Sequence, residues 1–127
     1  MAHSYFLDTD IIIDKLRGSG AGVAVFDELI KIPTIATTMI TRFELLCGES
    51  NPQKTKIILG WLELFTIHTL TGQSVAIAAT IYKNLKSKGQ LIGVADILLA
   101  SIVIEVDGIL VTKNRNDFER IEGLRLF

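Results

Sequence analysis

One cysteine, two prolines and two histidines are all that 127 residues offer of these three types. Cys47 has no second thiol, so an internal disulfide is excluded, and its default role is that of a small buried hydrophobe. His3 and His68 stand alone, no cluster has zinc spacing, and no nucleophilic triad is evident. Both histidines are assigned to structure or surface. No apolar run approaches the ~18–20 residues that span a bilayer. No charged segment leads into an apolar core at the N-terminus, so no secretory signal is expected. With the lone cysteine, this predicts a cytoplasmic protein without a membrane role. An excess of basic charge is also missing, the net charge being −1. The total therefore lacks the footprint of a strong nucleic-acid binder. No repeat, low-complexity stretch or linker interrupts the chain, and residues 1–127 read as one domain.

What is present belongs to a folded protein: 49% hydrophobic and 21% charged residues. Tyr5 to Leu7 is a short apolar strand running straight into Asp8, Thr9 and Asp10. A helix is expected from Ile11 to Leu16, ended by Gly18-Ser19-Gly20, and a second from Val23 to Ile30. Thr34 to Thr37 reads as a buried strand, and Thr38 to Cys47 as a helix closed by Gly48. Asn51-Pro52 is an N-cap with proline at the first helical position, opening a helix through Leu64. Phe65 to His68 is a third strand. Helices follow at Gln73 to Lys86 and, apolar almost all round, at Val94 to Val106. Ile109 to Thr112 and Leu124 to Phe127 complete the strands. Short apolar strands alternating with helices predict an α/β fold with a mostly parallel sheet of about five strands. The bulk of Ile57 to Leu64, with Trp61, or of the Val23 to Ile30 face, is expected at an interface with another chain.

In such a sheet, helix N-termini share an edge with strand C-termini, where open α/β sheets place their sites. Four isolated acids satisfy that geometry. Asp8 follows the first strand, Glu44 lies early in the helix after the second, and Asp96 is in the first turn of the apolar helix. Asp117 sits in the loop after the fourth strand. Each also has a local explanation. Asp8 or Thr9 can cap the next helix, and Thr41 with Glu44 fits a capping box. Asp96 can complement a helix dipole, and Asp117 can start a last helical turn. Their common edge is what these explanations leave unaccounted for. Two carboxylates ~5 Å apart at an effective dielectric near 20 repel by about 3 kcal/mol. A hard divalent cation with oxygen ligands offsets that repulsion, and Mg²⁺ keeps waters that phosphate can replace. Lys15, Arg17, Arg42, Lys113 and Arg115 lie close in sequence to the acids and suit phosphate.

Leu7-Asp8-Thr9, Glu44-Leu-Leu-Cys-Gly48, Gly93-Val-Ala-Asp96 and Thr112-Lys-Asn114-x-x-Asp117-Phe118 occur in order, with a closing Gly123-Leu124. This set resembles the PIN-domain ribonucleases, and within them the VapC-like toxins of toxin–antitoxin modules, over nearly the full length. The resemblance implies a three-layer PIN-like fold in which Asp8, Glu44, Asp96 and Asp117 hold Mg²⁺ or Mn²⁺ and hydrolyse RNA phosphodiester bonds. It makes Asp8 and Asp96 the principal ligands, with Thr112 and Asn114 in support beside Thr9. It also implies tRNA or rRNA as substrate, a homodimer, and a cognate antitoxin with a basic side chain entering the acid cluster. Asp10 departs from the pattern, since these toxins often carry asparagine there. Two alternatives remain: a non-catalytic α/β binding module, or a haloacid-dehalogenase-like phosphatase using Asp8 and Asp10. The latter requires acidic and basic motifs beyond Thr112, for which only 15 residues are left.

Overall fold

A computed structural model describes residues 3–127. Its centre is β1 (Tyr5–Leu7), which pairs in parallel with β2 (Ile35–Thr38) on one side and β4 (Ile109–Val111) on the other. β3 (Thr66–His68) and β5 (Arg125–Leu126) close the two edges, giving the order β3-β2-β1-β4-β5 with every pair parallel. Parallel neighbours require crossovers, so helices cover both faces of the sheet.

Alternation along each strand divides the core in two. Phe6, Ala36 and Leu110 face one side, where α5 (Gly72–Ser87), α6 (Val94–Glu105) and α7 (Arg115–Phe118) bring Leu85, Val103 and Phe118. Leu7, Ile35 and Val111 face the other. There α1 (Thr9–Arg17), α2 (Gly22–Leu29), α3 (Met39–Gly48) and α4 (Pro52–Leu62) supply Ile12, Phe26, Leu45 and Ile58. Three layers result, helices on sheet on helices. The near-uniform apolarity of α6 matches its place, since residues 97 and 99–103 are all buried.

Local chemistry sets the element ends. Asn51 accepts from the amides of Gln53 and Lys54 with Pro52 behind it, as its sequence predicts. Thr38 ends β2 and also caps α3, its hydroxyl accepting from the Thr41 amide at 3.1 Å. The stretch after β4, expected as a loop, includes the single turn α7, anchored by fully buried Phe118. Gly108 turns the chain into β4, where a Cβ would lie 2.5 Å from the Phe6 ring. The bulk of Ile57 to Leu64 is divided: Ile58 and Leu62 are buried and Trp61 packs on Phe26 with ring centroids 5.2 Å apart, while Ile57 and Leu64 stay exposed. Cys47, expected inside, is exposed near the end of α3. His68 packs against the Phe6 ring, and His3 bonds the Asp107 carbonyl, the structural roles assigned to both. Among the described residues, no helix is long and apolar enough to cross a membrane.

The chain builds outward from β1 to β2 and β3, and then α5 and α6 carry it back to β4 on the opposite side of β1. The direction of winding therefore reverses between β1 and β4. Beyond the C-terminal ends of those two strands lies the crevice in which such sheets hold their ligands.

Candidate metal centre

β1 ends at Leu7 and delivers Asp8 into this crevice, and β4 ends at Val111 and delivers Thr112 beside it. The Thr112 hydroxyl donates to Asp8 Oδ2 at 2.9 Å, joining residues 104 positions apart. Asp8 is only 7% exposed, and its other oxygen accepts the Thr9 amide at 2.7 Å. It is thus the helix cap of α1 and a member of the acid cluster at once. The two roles of Asp8 do not compete.

Asp10, one step into α1, turns the same way. Its Oδ2 accepts the Lys113 amide at 3.0 Å and lies 3.3 Å from the Thr112 hydroxyl. Its Oδ1 is buried with no protein partner, a costly state for a carboxylate oxygen. Glu44 does not complete a capping box with Thr41. The α3 cap is Thr38, and Glu44 Oε1 instead accepts the Thr9 hydroxyl at 2.7 Å. That bond ties the start of α1 to α3. Asn114 and Asp117 are joined at α7, the Asn114 side-chain amide donating to Asp117 Oδ2 at 3.2 Å. The Asn114 backbone N–H also donates to the Thr112 hydroxyl, so one threonine organises three residues of this edge.

Asp96 enters from the first turn of α6. Burial raises its carboxyl above the usual range, and repulsion from Glu44, Asp117 and Asp10 raises it further. Asp8 is pushed up to about 7, chiefly by burial and then by Asp10, with a smaller contribution from Asp96. Thr112 and Thr9 pull it back in part. Asp8, Glu44 and Asp117, the other acids expected at this edge, therefore each lie within electrostatic reach of Asp96, and Asp10 is a fifth.

The cations near these acids in sequence mostly turn elsewhere. Lys15 pairs with Asp27 and Arg115 with Glu119. Arg120 stands 3.7 Å from Asp117, but among the described residues Asp8, Asp10, Glu44 and Asp96 form no ion pair. Lys113 reaches Asp14, a residue that sequence reasoning passed over. Asp14 is buried, accepts the Gly22 amide at 2.9 Å, and meets the Lys113 ammonium at 2.7 Å. The hydrogen bond and charge of Lys113 hold its carboxyl below the usual range. Asp14 lies one turn beyond Asp10, so the pair clips the loop bearing Thr112 and Asn114 onto α1. Gly20 carried the missed signal. At φ 103°, with the Asp14 carboxylate where a Cβ would sit, it does more than end a helix.

The donor set is all oxygen, which suits a hard divalent cation rather than zinc. Among the described residues, no three carboxylates, histidines or cysteines converge closely enough to enclose a cation unaided. Mg²⁺ characteristically takes one or two carboxylates and retains waters, so an open cluster with an unpartnered oxygen at Asp10 fits it.

The PIN domain family model matches residues 5–124. Ribonuclease VapC19 of Mycobacterium tuberculosis is 32% identical over 124 residues, covering 94% of this chain and 95% of that protein. Ribonuclease VapC1 of Methanocaldococcus jannaschii is 28% identical over 95% of this chain and 85% of its own length. Among solved structures, VapBC2 from Rickettsia felis bound to a DNA fragment from its promoter superposes with a TM-score of 0.85 at 28% identity. That match covers 97% of this chain and 96% of the other. With a family model spanning nearly every residue and a relative matched end to end, the chain belongs to the PIN-domain family, in its VapC branch.

Proposed function

We propose that the chain is a Mg²⁺- or Mn²⁺-dependent endoribonuclease toxin, held in check by a cognate antitoxin and acting on RNA of the tRNA or rRNA class. The observation that carries this reading is a group of mutually repelling carboxylates at the crevice between β1 and β4, with Asp10 Oδ1 buried and unpartnered. The relatives at this level of identity are ribonucleases, which supports the reaction class. The VapBC complexes among the structural neighbours support the antitoxin. The phosphatase alternative is set aside by the PIN match over residues 5–124.

Asp8 and Asp96 are the principal metal ligands, with Glu44 and Asp117 as further ligands or as holders of water. A divalent cation there supplies Lewis acidity, making water more acidic and polarising a phosphoryl oxygen. Thr112 orients Asp8 and Asp10, Thr9 orients Glu44, and Asn114 orients Asp117. With Oε1 engaged by Thr9, Glu44 keeps Oε2 to accept a proton from the attacking water. Purified protein is expected to cleave RNA with Mg²⁺ or Mn²⁺ and to stop in EDTA. Cleavage that persists in EDTA excludes this chemistry, and a protein that neither binds Mn²⁺ nor cuts is the non-catalytic module.

Asp10→Asn tests the fifth carboxylate. Losing one repulsive charge while keeping an acceptor for the Lys113 amide is expected to raise metal-free stability by about 1 kcal/mol. Mn²⁺ affinity, measured by calorimetry, is expected to fall about tenfold. Unchanged affinity places Asp10 outside the metal's ligands.

The homodimer is assigned to the face of α5 and α6. Val75, Tyr82 and Val94 surround an open apolar depression there, and α3, which packs beside α6, exposes Phe43 at 67%. Such a face is costly to leave in water. Light scattering is expected to give a dimer, and Val94→Glu a monomer that retains its fold. A monomeric parent chain at high concentration removes this assignment.

A further inference from the structure

A cleft bordering Glu44 has no part in the chemistry above. Its volume is about 260 Å³, with Ile13, Leu16 and Ile58 among its walls and Arg17 and Lys54 at its rim. Thr9, Ile13, Leu16 and Arg17 recur at helical spacing, forming one stripe of α1 that runs from the acid cluster along the cleft. From Thr9 to Arg17 the stripe is about 12 Å long. That is a few nucleotide steps, at ~3.4 Å each when stacked.

An RNA strand entering a cluster of five acids needs compensating cations near by. Lys15, Lys113 and Arg120 are already neutralised by Asp27, Asp14 and Asp117. Arg17 and Lys54 are exposed and form no ion pair among the described residues. The Glu49 carboxylate in the same wall is turned to the Asn51 amide at 3.1 Å. Arg17 and Lys54 offset the Glu44 and Glu49 carboxylates of the lining and, above the apolar side chains of Ile13, Leu16 and Ile58, match one nucleotide, with phosphate at the rim and base inside.

We propose that this cleft is the subsite for a nucleotide flanking the scissile phosphate. Its backbone phosphate lies between Arg17 and Lys54, and its unstacked base rests on Ile13 and Leu16. The assignment rests on the ribonuclease reading of the acid cluster.

The test uses the Asp96→Asn chain, so that RNA stays uncut, and fluorescence anisotropy of a labelled random-sequence RNA oligonucleotide over a salt series. Adding Arg17→Gln and Lys54→Gln is expected to weaken binding about tenfold at low salt. The log–log salt slope is expected to shrink by roughly 0.7 for each phosphate no longer neutralised. Gly48→Val tests the space itself. Gly48 lines the cleft and a Cβ there meets nothing within 4 Å, so a larger side chain is accommodated on α3 and is expected to narrow the cleft and weaken RNA binding with little change in slope. Variants that bind as the parent does at every salt concentration overturn the subsite. Unchanged RNA affinity together with failure to retain a co-expressed antitoxin assigns the cleft to a protein partner and also overturns it. An Asp96→Asn chain with no salt-dependent RNA binding removes the ribonuclease reading as well, a result distinct from both.

Discussion

Asp96→Asn, freed of metal, melts at the temperature of the parent chain or above it, and loses more than about 99% of RNA cleavage. Asparagine keeps the shape of the side chain and removes a charge that burial, Glu44, Asp117 and Asp10 all oppose. Relief of that repulsion is of order 1–3 kcal/mol, or several degrees in melting temperature for a domain of this size. Cleavage falls because a principal metal ligand is gone, and with it much of the stabilisation that added Mn²⁺ gives the parent. An aspartate serving only the dipole of α6 gives the reverse: stability down by a few tenths to about one kcal/mol, with activity retained. Two melting curves per protein, with EDTA and with Mn²⁺, and one cleavage assay separate the cases. A less stable Asp96→Asn protein that still cuts RNA moves the centre away from Asp96.

The second large effect is one of pH. Folded, Asp8 keeps its proton up to about pH 7, whereas its ordinary value is 3.8. Between those values the folded chain binds more protons than the unfolded one, so stability is fully present below 3.8 and is lost as pH rises to about 7. Alone, this shift corresponds to on the order of 4 kcal/mol. Asp96, also raised, acts in the same direction. Asp14, held low by Lys113, acts in the opposite sense, but its stabilisation is lost only as pH falls below the ordinary carboxylate range. The metal-free protein is therefore expected to melt several degrees higher at about pH 5 than at about pH 8. Asp8→Asn keeps an acceptor for the Thr9 amide and is expected to flatten that profile. Added Mn²⁺ requires ionised carboxylates, so the stabilisation it gives grows with pH. A parent profile that is flat across this range means that Asp8 is not held up by its surroundings.

Local sequence was enough for every strand and for most helices. Three or four apolar residues ending at Asp8 or at Thr112 describe a strand leaving the core, and Asn51-Pro52 and the apolar length of α6 are read from their own chemistry. The shared edge of Asp8, Glu44, Asp96 and Asp117 was also legible, because a parallel sheet with crossover helices brings strand ends and helix starts together. Most boundaries moved by one or two residues, and at two of them one residue serves two elements. Thr38 ends β2 and caps α3, and Thr112 leaves β4 to bond Asp8.

What the sequence by itself determined is the alternation of elements and the edge on which the acids meet, since both follow from patterns within a few residues. Only the tertiary structure decided the partners. Glu44 had a plausible local bond to the α3 terminus and took Thr9 instead, across 35 residues. Asp14 carried no local signal except its glycines, and its charge is answered by Lys113, 99 residues away. Trp61, Ile58 and Leu62 found cover inside the fold, whereas Ile57 and Leu64 beside them stay exposed, as do Phe43, Val75 and Val94. The reason is common to all three. Helical and strand periods say which residues share a face, but a side chain's free energy depends on what another part of the chain places opposite it, and only packing of the whole fold settles that.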